Sequence, residues 1–182
     1  MKYKSVVILV VFVFFSCSEQ KARKPKKHGT QNFYKEVIQS NKKLNKLQKE
    51  RLELWIDKDT VHNYKVSPKG YWYYYVNKDT LQTITPKLND IVEIEFNITD
   101  IYGKTIYDLQ RRTYKVDKED FIPALQDGIK LMKKGETITF VIPSYSAFGV
   151  TGDGNKIGIN KPIQSTLTLV DIKKQINNNE NN

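Results

Sequence analysis

The stretch from Glu119 to Gly135 constrains this chain more than any other. Glu119 and Asp120 stand at its start, Pro123 falls in a first turn, lysines gather at its end and Gly135 closes it. Each residue type suits a helix at that place: acids and proline near the positive N-terminus, lysine near the negative C-terminus, glycine just past it. Phe121, Leu125, Ile129 and Met132 fall on one side of such a helix. A short, one-sided helix must lay its apolar face on something larger, and the flanking sequence reads as a sheet. Val92, Ile94, Phe96 and Ile98 alternate with Glu93, Glu95, Asn97 and Thr99, and Ile138, Phe140 and Ile142 alternate again. Period two means strands with one dry and one wet face.

Further strands are expected on either side. Tyr71–Val76 follows the turn-forming Ser67-Pro68-Lys69-Gly70, and an aromatic run of this kind suits a strand rather than a base-stacking platform. Thr105–Tyr107 continues beyond a turn at Gly103, Thr113–Val116 forms another short strand, and Gln164–Ile172 the last. Between Pro143 and that strand, residues 144–162 have no regular period and carry Gly149, Gly152, Gly154 and Gly158. Long loops in compact domains are functional or disordered; Tyr145 and Phe148 argue for packing. The fold class is α+β: several antiparallel strands, one short α-helix and one long glycine-bearing loop, preceded by an N-terminal helix.

That preface runs from about Asn32 to Ile56, where Phe33, Val37, Leu44, Leu47 and Leu54 recur at helical spacing. Ser40 and Arg51 thin the apolar stripe, so the helix needs a surface: its own domain, or a second copy through residues 32–56. Trp55 and Ile56 are expected in a core. Ahead of it, residues 18–31 hold Lys21, Arg23, Lys24, Lys26 and Lys27 against one acid, Glu19, and read as a basic tether.

The N-terminus is an address. Lys2 and Lys4 precede the apolar run Val6–Phe15, which is about half the length a membrane-spanning helix needs, as in a secretory signal peptide. Ser16-Cys17 follows and resembles the bacterial lipoprotein cleavage box, although Phe14 stands where that box usually has leucine. The resemblance implies lipidation of Cys17, palmitate included, and a lipid-anchored domain facing the periplasm of a bacterial cell envelope. The alternative is an ordinary signal peptide with an incidental cysteine. The net charge of +10 suits an anionic surface or plain solubility; an exported protein rarely meets nucleic acid, so no nucleic-acid partner is expected. One cysteine and two distant histidines, His28 and His62, leave no metal spacing and no Cys/His or Ser/His machinery, so neither metal nor cofactor is expected.

The C-terminal two-thirds resembles the FKBP-type peptidyl-prolyl cis–trans isomerases. Phe121-Ile122-Pro-Ala-Leu125 through Lys134-Gly135-Glu136 is similar to the family's helix, Ile142-Pro143-Ser-Tyr145-Ser-Ala-Phe148-Gly149 to its Pro-x-x-x-Ala-Tyr-Gly turn, and Ile159 through Ser165-Thr166-Leu167 to the approach to its last strand. The signal, the helical preface, Gly70-Tyr-Trp-Tyr-Tyr74 and Asn155-Lys-Ile-Gly158 also look like the gliding-motility-associated isomerase lipoproteins. The expected organisation is a signal peptide (1–16), a lipid-anchored tether (17–31), a helical preface (32–63), an isomerase domain (64–174) and a frayed tail (175–182).

The resemblance implies a five- or six-stranded antiparallel β-sheet wrapped around one short α-helix, with a proline pocket between them. Its walls would be Phe96, Ile106, Phe121, Ile122, Leu125, Phe148, Ile159 and Leu169, all of which spacing alone would equally allow as plain core. Phe96, Ile106, Ile122, Leu125 and Phe148 would act in catalysis; Phe121, Asp108, Ile159 and Leu169 would bind substrate. In the family a tyrosine hydroxyl stands at Phe148, a tryptophan floor often at Leu125, and an aspartate at Tyr107, with Asp108 here one place later. The implied partners are proline-containing unfolded or exported polypeptides. A non-catalytic chaperone or scaffold using the same groove is the competing reading.

Overall fold

The computed structural model describes residues 30–174. The expected signal peptide, Cys17, the tether as far as residue 29 and the tail from residue 175 lie outside the described residues. The chain divides into two units, Met1–Gln39 and Ser40–Asn182. Helix α1 (Thr30–Ile56) starts two residues before the expected Asn32. In the first unit its Phe33, Tyr34 and Ile38 are exposed, and the Phe33 and Tyr34 rings meet edge-on at 6.0 Å.

In the second unit the end of α1 is packed. Leu52 and Ile56 close on Trp72 and Val141, with the half-buried Trp55, Tyr64 and Ile101 around them. This apolar plug covers one face of a six-stranded antiparallel sheet. Its strands are β1 (Lys65–Val66), β2 (Trp72–Asn77), β3 (Ile91–Thr99), β4 (Thr105–Lys115), β5 (Thr137–Ile142) and β6 (Ile163–Lys173), in the order β1-β2-β5-β6-β3-β4. Helix α2 (Pro123–Ile129) lies against the other face.

The alternation read in β3 is the alternation observed: Val92, Ile94, Phe96 and Ile98 are buried and the residues between them half-buried. The two pieces expected at Thr105–Tyr107 and Thr113–Val116 are a single strand, β4. The reason is a bulge. Phe96 pairs with Gln110 but Ile98 pairs with Tyr107, so β4 carries one extra residue there. A bulge of this kind resets which side chains share a face. It breaks the apolar period in sequence while the ladder to β3 continues.

Helix α2 is shorter than the sequence implies, ending at Ile129 instead of near Gly135. The sheet takes over the hydrogen bonds that further turns would need. The Gly135 N–H donates to the Leu169 carbonyl at 2.7 Å, and the buried Glu136 carboxylate accepts from the N–H groups of Lys133 at 2.8 Å and Asp79 at 3.1 Å. Lys134 is thereby placed in a turn, paired with Asp171 at 2.7 Å, and caps no helix. Leu125, Ile129 and Met132 are fully buried against the sheet, as their spacing implies, while Phe121 is half-buried. Gly128 sets how close α2 can lie: a Cβ there would stand 2.3 Å from the Phe140 ring.

Candidate functional site

Four segments meet where α2 begins. Phe96 and Ile98 come from β3, Tyr107, Gln110 and Arg112 from β4, Asp120 to Pro123 from the start of α2, and Ala147, Phe148 and Asp153 from the loop after β5. They enclose an open pocket of about 420 Å³. The β4 bulge helps build it, because it lets Tyr107 and Gln110 line the same wall.

The apolar wall is held by ring contacts. Phe96 stands edge-on to Phe121 at 5.0 Å, and Tyr114 is tilted against Phe121 at 5.6 Å. The Arg112 guanidinium lies 4.9 Å over Phe121, donates to the Asp120 carbonyl at 3.0 Å and pairs with Glu119 at 3.6 Å. A cation over a ring face is attracted by the ring quadrupole, so Arg112 fixes both the ring and the chain leading into α2. Pro123 disfavours helical backbone at the residue before it, and Ile122 is extended at φ −59°, ψ 121°. The Ile122 carbonyl accepts the N–H groups of Leu125 and Gln126, both at 2.9 Å, while its own N–H donates to no acceptor among the described residues.

On the polar side, Tyr107 and Asp153 form a direct pair. The Tyr107 hydroxyl donates to Asp153 Oδ2 at 2.5 Å, and Asp153 Oδ1 accepts the N–H groups of Asn155 at 2.9 Å and Ile157 at 2.8 Å. Lys156 lies 5.0 Å over the Tyr107 ring and donates to the Ile106 carbonyl at 3.2 Å. Desolvation raises the Asp153 carboxyl, but the hydrogen bonds from Tyr107 and from backbone N–H groups outweigh it and hold it below the usual carboxylate range. The same bond, with desolvation, raises the Tyr107 phenol. Asp153 therefore stays an acceptor and Tyr107 a donor at neutral pH.

Of the residues singled out in the sequence, the structure brings Phe96, Phe121, Ile122 and Phe148 together on this pocket. Leu125 and Leu169 are fully buried in the core and do not line it. Leu125 lies on the α2 face turned to the sheet, and Leu169 is one of the alternate residues that β6 buries. Ile106 is half-buried and packs against the core, because the bulge gives the pocket position to Tyr107. Asp108, in the bulge, is exposed and does not line the pocket. Ile159 is 63% exposed, its apolar place in the loop being taken by the buried Ile157. The residues that sequence reasoning missed are chiefly Arg112 and Asp153. Asp153 had a local signal, since aspartate in a Gly-Asp-Gly-Asn run readily bonds its own backbone. Arg112 had none: only the paired strand shows which ring it covers. Among the described residues no three His, Cys, Asp or Glu side chains gather as a metal site.

A six-stranded antiparallel sheet laid over a short helix, with a largely apolar pocket at the helix's start, makes this an α+β domain with a hollow of the size that small ligands fill. Residues 82–170 match the family model described as FKBP-type peptidyl-prolyl cis–trans isomerase. A curated relative, the probable FKBP-type peptidyl-prolyl cis–trans isomerase FkpA of Neisseria meningitidis serogroup B (strain ATCC BAA-335 / MC58), is 34% identical over 92 residues, which are 48% of this chain and 33% of that protein. The match thus spans about a third of the relative's length. The crystal structure of FkpA from Escherichia coli is similar with a TM-score of 0.59 and 25% identity, covering 93% of this chain and 82% of that one. A peptidyl-prolyl cis–trans isomerase from Pseudomonas syringae pv. tomato str. DC3000 shares the fold, with a TM-score of 0.59 and 21% identity over 74% of this chain and 96% of that one.

Proposed function

We propose that this chain is a peptidyl-prolyl cis–trans isomerase whose substrates are proline-containing segments of unfolded or exported polypeptides. The observation that carries the reading is the pocket of about 420 Å³ walled by Phe96, Phe121, Ile122 and Phe148. An unaided X–Pro bond turns over in about tens of seconds, over a barrier of about 18–20 kcal/mol. The twisted amide at the top of that barrier has lost its resonance and is less dipolar than the planar ground state. A dry, ring-lined pocket desolvates it at lower cost and encloses the proline ring beside it. A thousandfold acceleration needs only about 4 kcal/mol of such preference. No nucleophile or proton transfer is involved. In this reading the Ile122 N–H receives a substrate carbonyl, and the Tyr107–Asp153 pair forms the polar edge of the site.

The finer assignments follow from the sequence. The chain is exported to a bacterial cell envelope, anchored by lipid on Cys17 and turned to the periplasm, supported by the Lys-rich start, the run Val6–Phe15 and Ser16-Cys17. It assists folding of envelope proteins, those of a gliding-motility apparatus among them, on the strength of the resemblance set out above. Residues 64–174 form the isomerase domain, and dimerisation through residues 32–56 would use their N-terminal end, where Phe33, Tyr34 and Ile38 are exposed, since Leu52 and Ile56 at the other end are packed. The same exposed face favours a second reading, in which the chain holds unfolded segments without catalysis.

An NMR exchange assay on a short X–Pro peptide tests the proposal. Cis–trans exchange faster than in buffer, and abolished by Ile122→Ala with Phe148→Ala, is the expected outcome. Exchange at the buffer rate with the intact chain leaves only the holding function.

A further inference from the structure

Gln48 of α1 touches both ends of the loop that supplies Ala147, Phe148 and Asp153 to the pocket. Its Oε1 accepts the Ser144 N–H at 2.7 Å and the Ser144 hydroxyl at 2.9 Å, and its Nε2 donates to the Asn160 carbonyl at 3.0 Å. The amide's orientation is dictated by its partners, since a backbone N–H only donates and a carbonyl only accepts. The carboxamide offers a donor and an acceptor from one planar group, one for each end of the loop.

The two ends that Gln48 holds are tied to each other and to Phe148. The Gly149 N–H donates to the Ser144 carbonyl at 2.7 Å, and the Asn160 N–H donates to the Gly149 carbonyl at 2.9 Å. Asn160 holds a positive φ of 53°, a backbone conformation that costs energy unless its surroundings impose it. A continuous set of hydrogen bonds therefore runs from Gln48 through Ser144 and Asn160 to Gly149, the residue after pocket-lining Phe148. Beside these bonds α1 and the loop are not closely packed. A cleft of about 690 Å³ lies there, with Leu44, Leu47 and Trp55 on the helix side and Ile101, Tyr102 and Pro162 opposite. Gln48 is the polar contact that spans it.

We propose that Gln48 is a positioning residue for the isomerase reaction, holding the neck of the 144–160 loop so that Phe148 is fixed as a pocket wall. The helical preface then takes part in shaping the pocket through Gln48. The kinetic part of this inference rests on the isomerase reading above; the structural part does not.

The test uses the full chain with Gln48→Leu and Gln48→Glu, the second keeping an acceptor for Ser144 while setting a carboxylate against the Asn160 carbonyl. Two measurements are made: amide hydrogen exchange, and cis–trans exchange of an X–Pro peptide by NMR. In Gln48→Leu the N–H groups of Gly149 and Asn160, neither of which is bonded to Gln48, should exchange about tenfold faster, while Ile94 and Leu167 in the sheet keep their rates and report an intact fold. The value of kcat/KM should fall about tenfold, mostly through KM, because a displaced wall binds the proline less well before it affects turnover. Gln48→Glu should fall between wild type and Gln48→Leu in both. Faster exchange confined to the Ser144 amide, or an unchanged KM in an active enzyme, overturns the proposal. If the wild-type chain has no isomerase activity, the functional reading fails, and the Gly149 and Asn160 amides alone decide whether Gln48 holds the loop.

Discussion

Helix α2 has a hollow on either side, and the two differ in chemistry more than in size. The pocket already described, about 420 Å³, is walled by Phe96, Phe121, Ile122 and Phe148. Its neighbour, about 290 Å³, is lined by Lys69, Tyr71, Asp117, Gln126, Asp127 and Lys130 among others. Pro123 belongs to both. In the second hollow the polar groups already have partners: the Tyr71 hydroxyl donates to Asp127 at 2.9 Å and Lys130 pairs with Asp117 at 3.1 Å. A proline ring placed there would strip water from these charged and polar groups and return no hydrogen bond in its place. In the first hollow the rings lose only water that was poorly bound. The lesson is that a cavity becomes a proline site through what its walls would lose on being covered.

That contrast can be broken or sharpened, starting with the largest effect. Gly128→Ala sets a Cβ against the Phe140 ring, so that the ring or α2 must shift. It should lose about 3 kcal/mol of stability, measured by urea denaturation, and distort both hollows together. Phe148→Ala removes one apolar wall and should lower kcat/KM about tenfold in the X–Pro assay, about 1.4 kcal/mol of transition-state binding, with the polar hollow untouched. A smaller effect is expected from pH. The Asp153 carboxyl titrates lower in the folded than in the unfolded chain, for the reasons given above. Its stabilisation is complete above the unfolded value of about 3.9 and is lost as pH falls through the lower folded value. Denaturation followed from pH 6 downward (a window set by roughly the unfolded carboxylate value) should show that loss, and Asp153→Asn should remove it. The smallest effect belongs to the other side of the helix: Gln126→Ala, which gives up a hydrogen bond to the Glu119 carbonyl, should change stability by less than about 0.5 kcal/mol and leave kcat/KM alone. A clear kinetic loss in that variant would show that the polar hollow takes part in the reaction.

The two hollows were unequally legible. Phe96 could be read as inward-facing because β3 alternates without interruption, and Phe121 and Ile122 because they precede the first turn of an apolar-faced helix. Leu125 and Leu169 share those periodicities and cannot be told from pocket residues by spacing, since both kinds face inward; depth in the core separates them. Tyr107 displaced Ile106 from the wall through a one-residue bulge that no local pattern announces. The Arg112–Phe121 contact and the ties from Gln48 to Ser144 and Asn160 join residues remote in sequence.

What the amino-acid order determined by itself was local: alternation set β3 and its dry face, and Pro143 set where β5 stops. These are consequences of backbone sterics and of apolar side chains leaving water, which act over a few neighbouring residues. What only the folded chain decided was which inward side chains surround empty space and which fill it, how far α2 extends, and which groups fasten the loop over the pocket. Those depend on partners brought together across strands, where a single bulge or one hydrogen bond to the sheet outweighs local preference.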